Sequence, residues 1–189
     1  MGGVYKLLGK EKMELRNRYQ VKDDNKIPLD RSSRDDYRLR LENRYLRKFV
    51  KRFDRKAERE QIYNLSREFR EELIEKGIIN WSQITYRFCG RHMTELHFGD
   101  HFQYYELLLA DVVELVPTPE QEADLELLVK QQSDIYRFAT ADEITSLGVD
   151  TASGDLRENI ADHTLKIIQE NEGQLMRISG VGKTYTINL

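Results

Sequence analysis

The stretch NWSQITYRF, residues 80–88, decides how the middle of the chain is read. Asn80 with Gln83 three positions on has the Asn-x-x-Gln form of a capping box, in which the first side chain accepts from helix N-terminal amides and the second reaches back to the cap. Read so, it opens a short helix over roughly 81–88. Asp100 and Gln103 repeat the spacing ahead of HFQYYELLLADVVELV, residues 101–116, an apolar run that reads as the central core helix and stops at Pro117. Thr118, Pro119 and Gln121 then combine a cap, a proline at the first helical position and a box partner, which predicts a helix from Pro119 to about Gln132.

Upstream, no Pro or Gly occurs from Tyr37 to Lys76, and Gly77 stands where a helix C-cap is expected. One helix of up to about 40 residues, or two with a bend, follows from this. Ser32 or Ser33 supplies the N-cap, with Asp35 and Asp36 in the first turn. Tyr45, Leu46, Phe49, Val50, Phe53 and Ala57 share one arc of the helix, and Ile62, Leu65, Phe69 and Leu73 continue the stripe. Beyond Glu58, EREQIYNLSREFREELIEK alternates acids and bases and reads as a solvated helix supported by pairs three or four apart. Residues 1–33 read as an irregular or weakly helical arm that packs loosely or orders against a partner.

After residue 134 the pattern shortens. Ile135–Phe138 is a brief apolar run, Thr140 with Glu143 caps ADEITSL, and Gly148 ends it. SGDLRENIADHTLKIIQENEG, residues 153–173, places Leu156, Ile160, Leu165, Ile167 and Ile168 at helical spacing, closed by Gly173. QLMRISGVGKTYTINL reads as two strands around Gly180-Val181-Gly182. This order of short strand, helix, turn, longer helix and hairpin resembles a winged helix-turn-helix, specifically the small terminal winged module of some phage and plasmid replication proteins. The resemblance covers residues 138–189 and rests on element order. It implies a module able to approach DNA, but Asp155 and Glu158 stand where phosphates would come and only Arg157, Asn159, Arg177 and Lys183 are suitably polar.

The fold expectation is therefore mainly α: an arm over 1–33, a helical domain over 34–134 with a long amphipathic helix and helical core, and a winged-helix-like α+β module over 135–189. Charged residues make up 33% of the chain and apolar ones 39%, which suits long solvated helices. No apolar run is long enough to span a membrane and no signal-like segment opens the chain, so a cytoplasmic location, or incorporation in a virion, is expected.

Charge is divided sharply. Residues 1–76 carry 22 Lys/Arg and 15 Asp/Glu, whereas residues 77–189 carry 8 and 18, for a net charge of −3. The basic excess centres on RYLRKFVKRFDRK, residues 44–56, where Arg44, Arg47, Lys48, Lys51, Arg52, Arg55 and Lys56 face a single acid, Asp54. Most of these fall opposite the apolar arc. They form the candidate nucleic-acid-binding set, because such a face can follow a phosphate backbone while the aromatics hold it to the protein. The partner is nucleic acid, DNA or RNA, or an acidic protein surface, including the C-terminal half of another copy in a homo-oligomer.

Other chemistry is thin. His92, His97, Asp100 and His101 could approach a metal, with His97 and His101 as the weak candidates, but Gly99 and Asp100 interrupt the helix that would align them. Cys89 is the lone cysteine and excludes an intrachain disulfide. SGVGKT, residues 179–184, lacks the first glycine of a phosphate loop and the helix after it. No catalytic constellation or cofactor is expected. The functional expectation is a non-enzymatic nucleic-acid-associated accessory protein for replication, packaging or regulation. The alternative is a structural or adaptor subunit of a larger, viral assembly, and an enzyme ranks third.

Overall fold

A computed structural model describes residues 2–24, 26, 33–55, 57–99, 103–156, 159–160, 162–168 and 175–189. The chain divides into two compact units, Met1–Glu68 and Phe69–Leu189. Helices alternate with antiparallel strands throughout, so the class is α+β and not mainly α.

In the first unit the N-terminal segment is a central element and not a loose arm. Residues Tyr5–Leu8 run extended between two neighbours: the Leu7 amide donates to Asp35 and the Tyr37 amide to Tyr5 on one side, while the Leu8 amide donates to Glu58 and the Glu60 amide to Lys6 on the other. Helix α1 (Glu11–Tyr19) follows, with Glu11 and Glu14 in its first turn, Arg16 and Arg18 in its last, and Gln20 left-handed as the C-cap. Strands β1 (Lys22–Asp23) and β2 (Leu39–Arg40) pair antiparallel. Helix α2 (Asn43–Arg55) turns its apolar arc inward as its spacing requires. Leu7, Leu15 and Val21 form a buried cluster against which Tyr37, Leu39 and Phe49 pack, and the Tyr37 ring meets Phe53 edge-on at 5.1 Å.

The long helix expected over 37–76 is broken. Chain 57–60 is taken up by the N-terminal segment, through the backbone bonds already given and a bridge between Leu7 and Arg59. Arg59 is buried, donates to the Phe53 and Glu60 carbonyls, and stacks over Phe53 at 3.8 Å and Tyr5 at 4.5 Å. Long-range pairing of backbone and guanidinium outweighs a helix propensity worth only a few tenths of a kcal/mol per residue. Helix starts again at α3 (Ser66–Phe69), where the Asn64 side-chain Oδ1 accepts from the Ser66 amide and hydroxyl.

In the second unit a π-helical turn, Arg70–Ile74, follows α3 in the chain, and the turn after it closes at Gly77, whose φ of 68° only glycine adopts freely. The stretch expected as a helix over 81–88 is instead strand β3 (Gln83–Met93), the middle of a three-stranded sheet between strands Leu109–Leu115 and Thr184–Asn188. The period is two: Ile84, Tyr86 and Phe88 are buried, with Thr85 and Arg87 between them half-exposed. The expected core helix of 101–116 is also overturned. Its described part supplies β5 (Tyr104–Glu106), which pairs with β4 (His97–Gly99), and β6 (Leu109–Leu115), which pairs antiparallel with β3 from Tyr86↔Leu115 to Met93↔Leu109. A bulge between Phe88 and Gly90 shifts the register. At Gly90, φ is 152° and a Cβ would lie 3.0 Å from that of Leu175, so a side chain is not accommodated.

Helix α4 (Pro119–Lys130) carries the expected Thr118–Gln121 capping box, and α5 (Ala141–Thr145) the Thr140–Glu143 box. Beyond them the winged arrangement is absent from the described residues. A 3-10 turn, Asp162–Ile167, stands in the described part of the expected longer helix, and Arg157, Glu158 and Gly173 lie outside the described residues. The final strand, β7 (Thr184–Asn188), pairs with the start of β3, Gln83↔Asn188 to Arg87↔Thr184, instead of closing a hairpin with the described residues 175–178. Gly180 and Gly182, at φ 96° and 81°, make the turn that delivers it.

Candidate functional site

Two clusters in the first unit concentrate charge. The first is built on Arg67 in α3. Its Nε donates to Glu60 Oε1 at 2.5 Å and its Nη2 to Glu60 Oε2 at 2.8 Å, a two-bond fork. The same guanidinium reaches Glu68 and donates to the Val4 carbonyl at 3.0 Å, while the Lys6 amide donates to Glu60 Oε2 at 2.8 Å. Hydrogen bonds donated to Glu60 outweigh partial burial and hold the Arg67 guanidinium above its ordinary value. Glu60 thus positions Arg67 and ties the N-terminal segment to α3. Two carboxylates share one guanidinium, leaving a local negative excess.

The second cluster is the cationic face of α2, and the structure divides the seven expected residues. Arg47, Lys48, Lys51 and Arg55 are exposed and, among the described residues, have no ion pair or hydrogen bond. Arg44 is exposed but pairs with Glu42 at 2.9 Å and lies over the Tyr45 ring at 4.8 Å. Arg52 does not belong to the face: it forks onto Glu11 at 2.7 and 2.6 Å, with 13% of its side chain exposed and none of Glu11's. Lys56 lies outside the described residues. Like charges at positions 47/51, 48/51 and 51/55 cost about 0.2–0.5 kcal/mol per pair, so the face is held against repulsion by the burial of the opposite side.

The histidines do not assemble. His97 is exposed in β4 and its Nδ1 lies 3.1 Å from the Glu95 carbonyl; His101 lies outside the described residues. Burial, with Lys166 adding to it, lowers the His92 imidazole. Among the described residues no three His, Cys, Asp or Glu side chains gather as a metal site. A cleft of about 340 Å³ in the second unit is lined by Asp134, Tyr136, Arg137, Glu143 and Asn159 among others. Its charge is largely internal, since Arg137 donates to Glu143 at 2.6 Å and Glu143 also caps α5.

Compared with known families, residues 1–168 match the model described as SMODS-associated NUDIX domain. The chain belongs to this family. Searches of curated proteins and of solved structures each found no match. The NUDIX match covers all of the first unit and most of the second, so residues 138–168 are part of it and not of a winged helix. It overturns the replication-accessory reading and the phage and structural-protein classes expected from the sequence, and nothing favours an adaptor in their place.

Reading for helical periodicity passed over REFREELIEKG, residues 67–77, as a solvated face. Its signal was the pair of doublets Arg67-Glu68 and Glu71-Glu72, which set carboxylates at spacings of three and four. The π turn at Arg70–Ile74, marked by the Glu75 amide donating to the Arg70 carbonyl at 2.8 Å, was a second feature without a sequence signal. Such turns are rare and frequent at functional sites. Glu11 and Arg91, both buried, were missed because their partners Arg52 and Asp111 lie 41 and 20 residues away.

Proposed function

We propose that this chain is a nudix-like hydrolase or effector domain, acting on or responding to the ligand class the family name denotes, a nucleoside diphosphate linked to a second group. The observation that carries the reading is the family match across residues 1–168. Carboxylates at Glu68, Glu71 and Glu72, next to a guanidinium at Arg67, are the groups such chemistry draws on: acids to hold a proton or a hard cation near phosphate, and a guanidinium to keep neighbouring acids in place. A hydrolase turns the ligand over; an effector only binds it.

The test is incubation of the full chain with a panel of nucleoside diphosphates joined to sugars or nucleosides, with and without magnesium, and separation of the products by ion exchange. Turnover lost in the Glu68→Gln, Glu71→Gln, Glu72→Gln variant supports the hydrolase. A rise in melting temperature with one panel member and no turnover supports the effector. Neither turnover nor binding across the panel overturns the reading.

A further inference from the structure

We infer that Arg47, Lys48, Lys51 and Arg55 form a docking surface for the phosphate backbone of a nucleic acid, separate from any nucleotide chemistry of the NUDIX domain. The argument starts from how the first unit spends its other cations. Lys6 pairs with Asp36, Lys12 with Asp23, Arg18 with Glu14, Arg44 with Glu42, Arg52 with Glu11 and Arg67 with Glu60. Lys10, Lys22 and Arg34 are also exposed and unpaired among the described residues, but they stand on separate segments, whereas on α2 four such side chains share one stripe.

Their spacing narrows the ligand. Positions 47, 48, 51 and 55 fall within about 100° of arc and extend about 12 Å along the helix at 1.5 Å per residue. A single phosphate reaches one or two of these groups, whereas a chain of phosphates reaches all four.

The surroundings narrow it further. The apolar side chains of α2, Leu46, Phe49, Val50 and Phe53, are half-buried or buried, so the helix has no apolar face left to lay into a bilayer. A protein interface is anchored by buried aromatic or aliphatic groups and is depleted of Lys at its core, and the stripe offers only charge. A phosphate backbone needs charge alone, with little regard to base sequence.

The experiment is fluorescence anisotropy of the full chain with labelled random duplex DNA and random single-stranded RNA, titrated from 50 to 200 mM KCl. Four contacts give a log–log salt slope of about −3.6 on duplex and about −2.8 on single strands. Lys48→Gln, Lys51→Gln, Arg55→Gln should reduce the duplex slope by about 2–3, and each single Gln variant by about 0.9. Lys48→Arg with Lys51→Arg should keep the slope, because charge is kept. The single variants decide the matter should the triple variant lose its circular dichroism signal. Whichever nucleic acid binds more tightly identifies the source of the phosphates. The proposal is overturned by no binding at 50 mM KCl, by binding whose slope ignores these substitutions, or by capture on phosphatidylserine vesicles without nucleic-acid binding. Because the readout is salt slope and not turnover, its failure is distinct from failure of the NUDIX reading.

Discussion

Arg52 grips the Glu11 carboxylate with two hydrogen bonds of 2.7 and 2.6 Å and so locks α2 onto the start of α1. The Glu58 amide donates to the same carboxylate at 3.2 Å, so one buried acid joins three segments of the first unit. Replacing Arg52 by Met leaves that acid buried without its partner, which costs about 3–5 kcal/mol. Arg55→Gln, three residues along and outside the contact, should change stability by no more than about 0.5 kcal/mol. Urea midpoints of the two variants check the contrast, and equal midpoints would show that the fork does not hold the fold.

The same contact sets a pH dependence. Burial works to raise the Glu11 carboxyl, but the Arg52 hydrogen bond, the Glu58 amide and the Arg52 charge outweigh it and hold the group below its ordinary 4.5. A carboxyl depressed in the folded state adds stability above its unfolded value and loses it as pH falls through the folded value. Melting temperature should therefore drop on acidification below about pH 4.5, and the drop should be shallower in Glu11→Gln. Melting curves from pH 7 to 3 test this; identical acid limbs for the two proteins would count against it.

Legibility followed the range of the interactions. The boxes at Thr118–Gln121 and Thr140–Glu143 involve residues three apart, and both helices begin where those residues place them. At Asn80–Gln83 the same spacing misled, because Ile84, Tyr86 and Phe88 follow with a period of two and bury one face of a strand. The expected long helix failed at Arg59, whose ring partner Tyr5 lies at the other end of the unit's sequence. Within the cationic stretch, Arg47, Lys48, Lys51 and Arg55 were legible as a surface since exposure follows from helical spacing. Arg52 was not, because Glu11 is 41 residues away. The family, likewise, lies in the full run of residues 1–168 and not in any short pattern read along the way.

Thr118→Ala removes the side-chain oxygen that accepts from the Gln121 amide at 3.3 Å, and with it one half of the box that starts α4. The loss should be about 0.5–2 kcal/mol, and Thr118→Ser should recover most of it. Chemical denaturation of both variants measures the difference. Equal destabilisation by Ala and Ser would mean that the threonine methyl, not its oxygen, matters.

Gly90→Ala tests the bulge in β3. The φ of 152° disfavours any L side chain, and the new Cβ would stand 3.0 Å from the Leu175 Cβ and 3.2 Å from the Met176 carbonyl oxygen. Strain of this kind costs about 1–3 kcal/mol. Substituting Gly154, where nothing lies within 4 Å of a Cβ although φ is also positive, should cost less. A Gly154→Ala variant no more stable than Gly90→Ala would assign the penalty to backbone torsion alone.

The last prediction concerns Arg91 and Asp111, paired across β3 and β6 at 2.6 and 2.9 Å with 4% of each side chain exposed. Both charges have left water, so the pair must offset a desolvation cost of several kcal/mol per ion. Asp111→Ala takes the forked carboxylate from a buried guanidinium, for an expected loss of about 3–5 kcal/mol. Arg91→Met takes the fork from the buried carboxylate and should cost a similar amount. The double variant Arg91→Met, Asp111→Leu removes both charges and fills the space with apolar atoms, so it should be far more stable than the sum of the single losses predicts. The backbone bridge between Arg91 and Met176 does not depend on either side chain and should survive in all three variants. A double-mutant cycle by urea denaturation gives the coupling directly. Strict additivity would mean that each charge is satisfied by other groups, and that the pair contributes nothing to how β3 and β6 are matched.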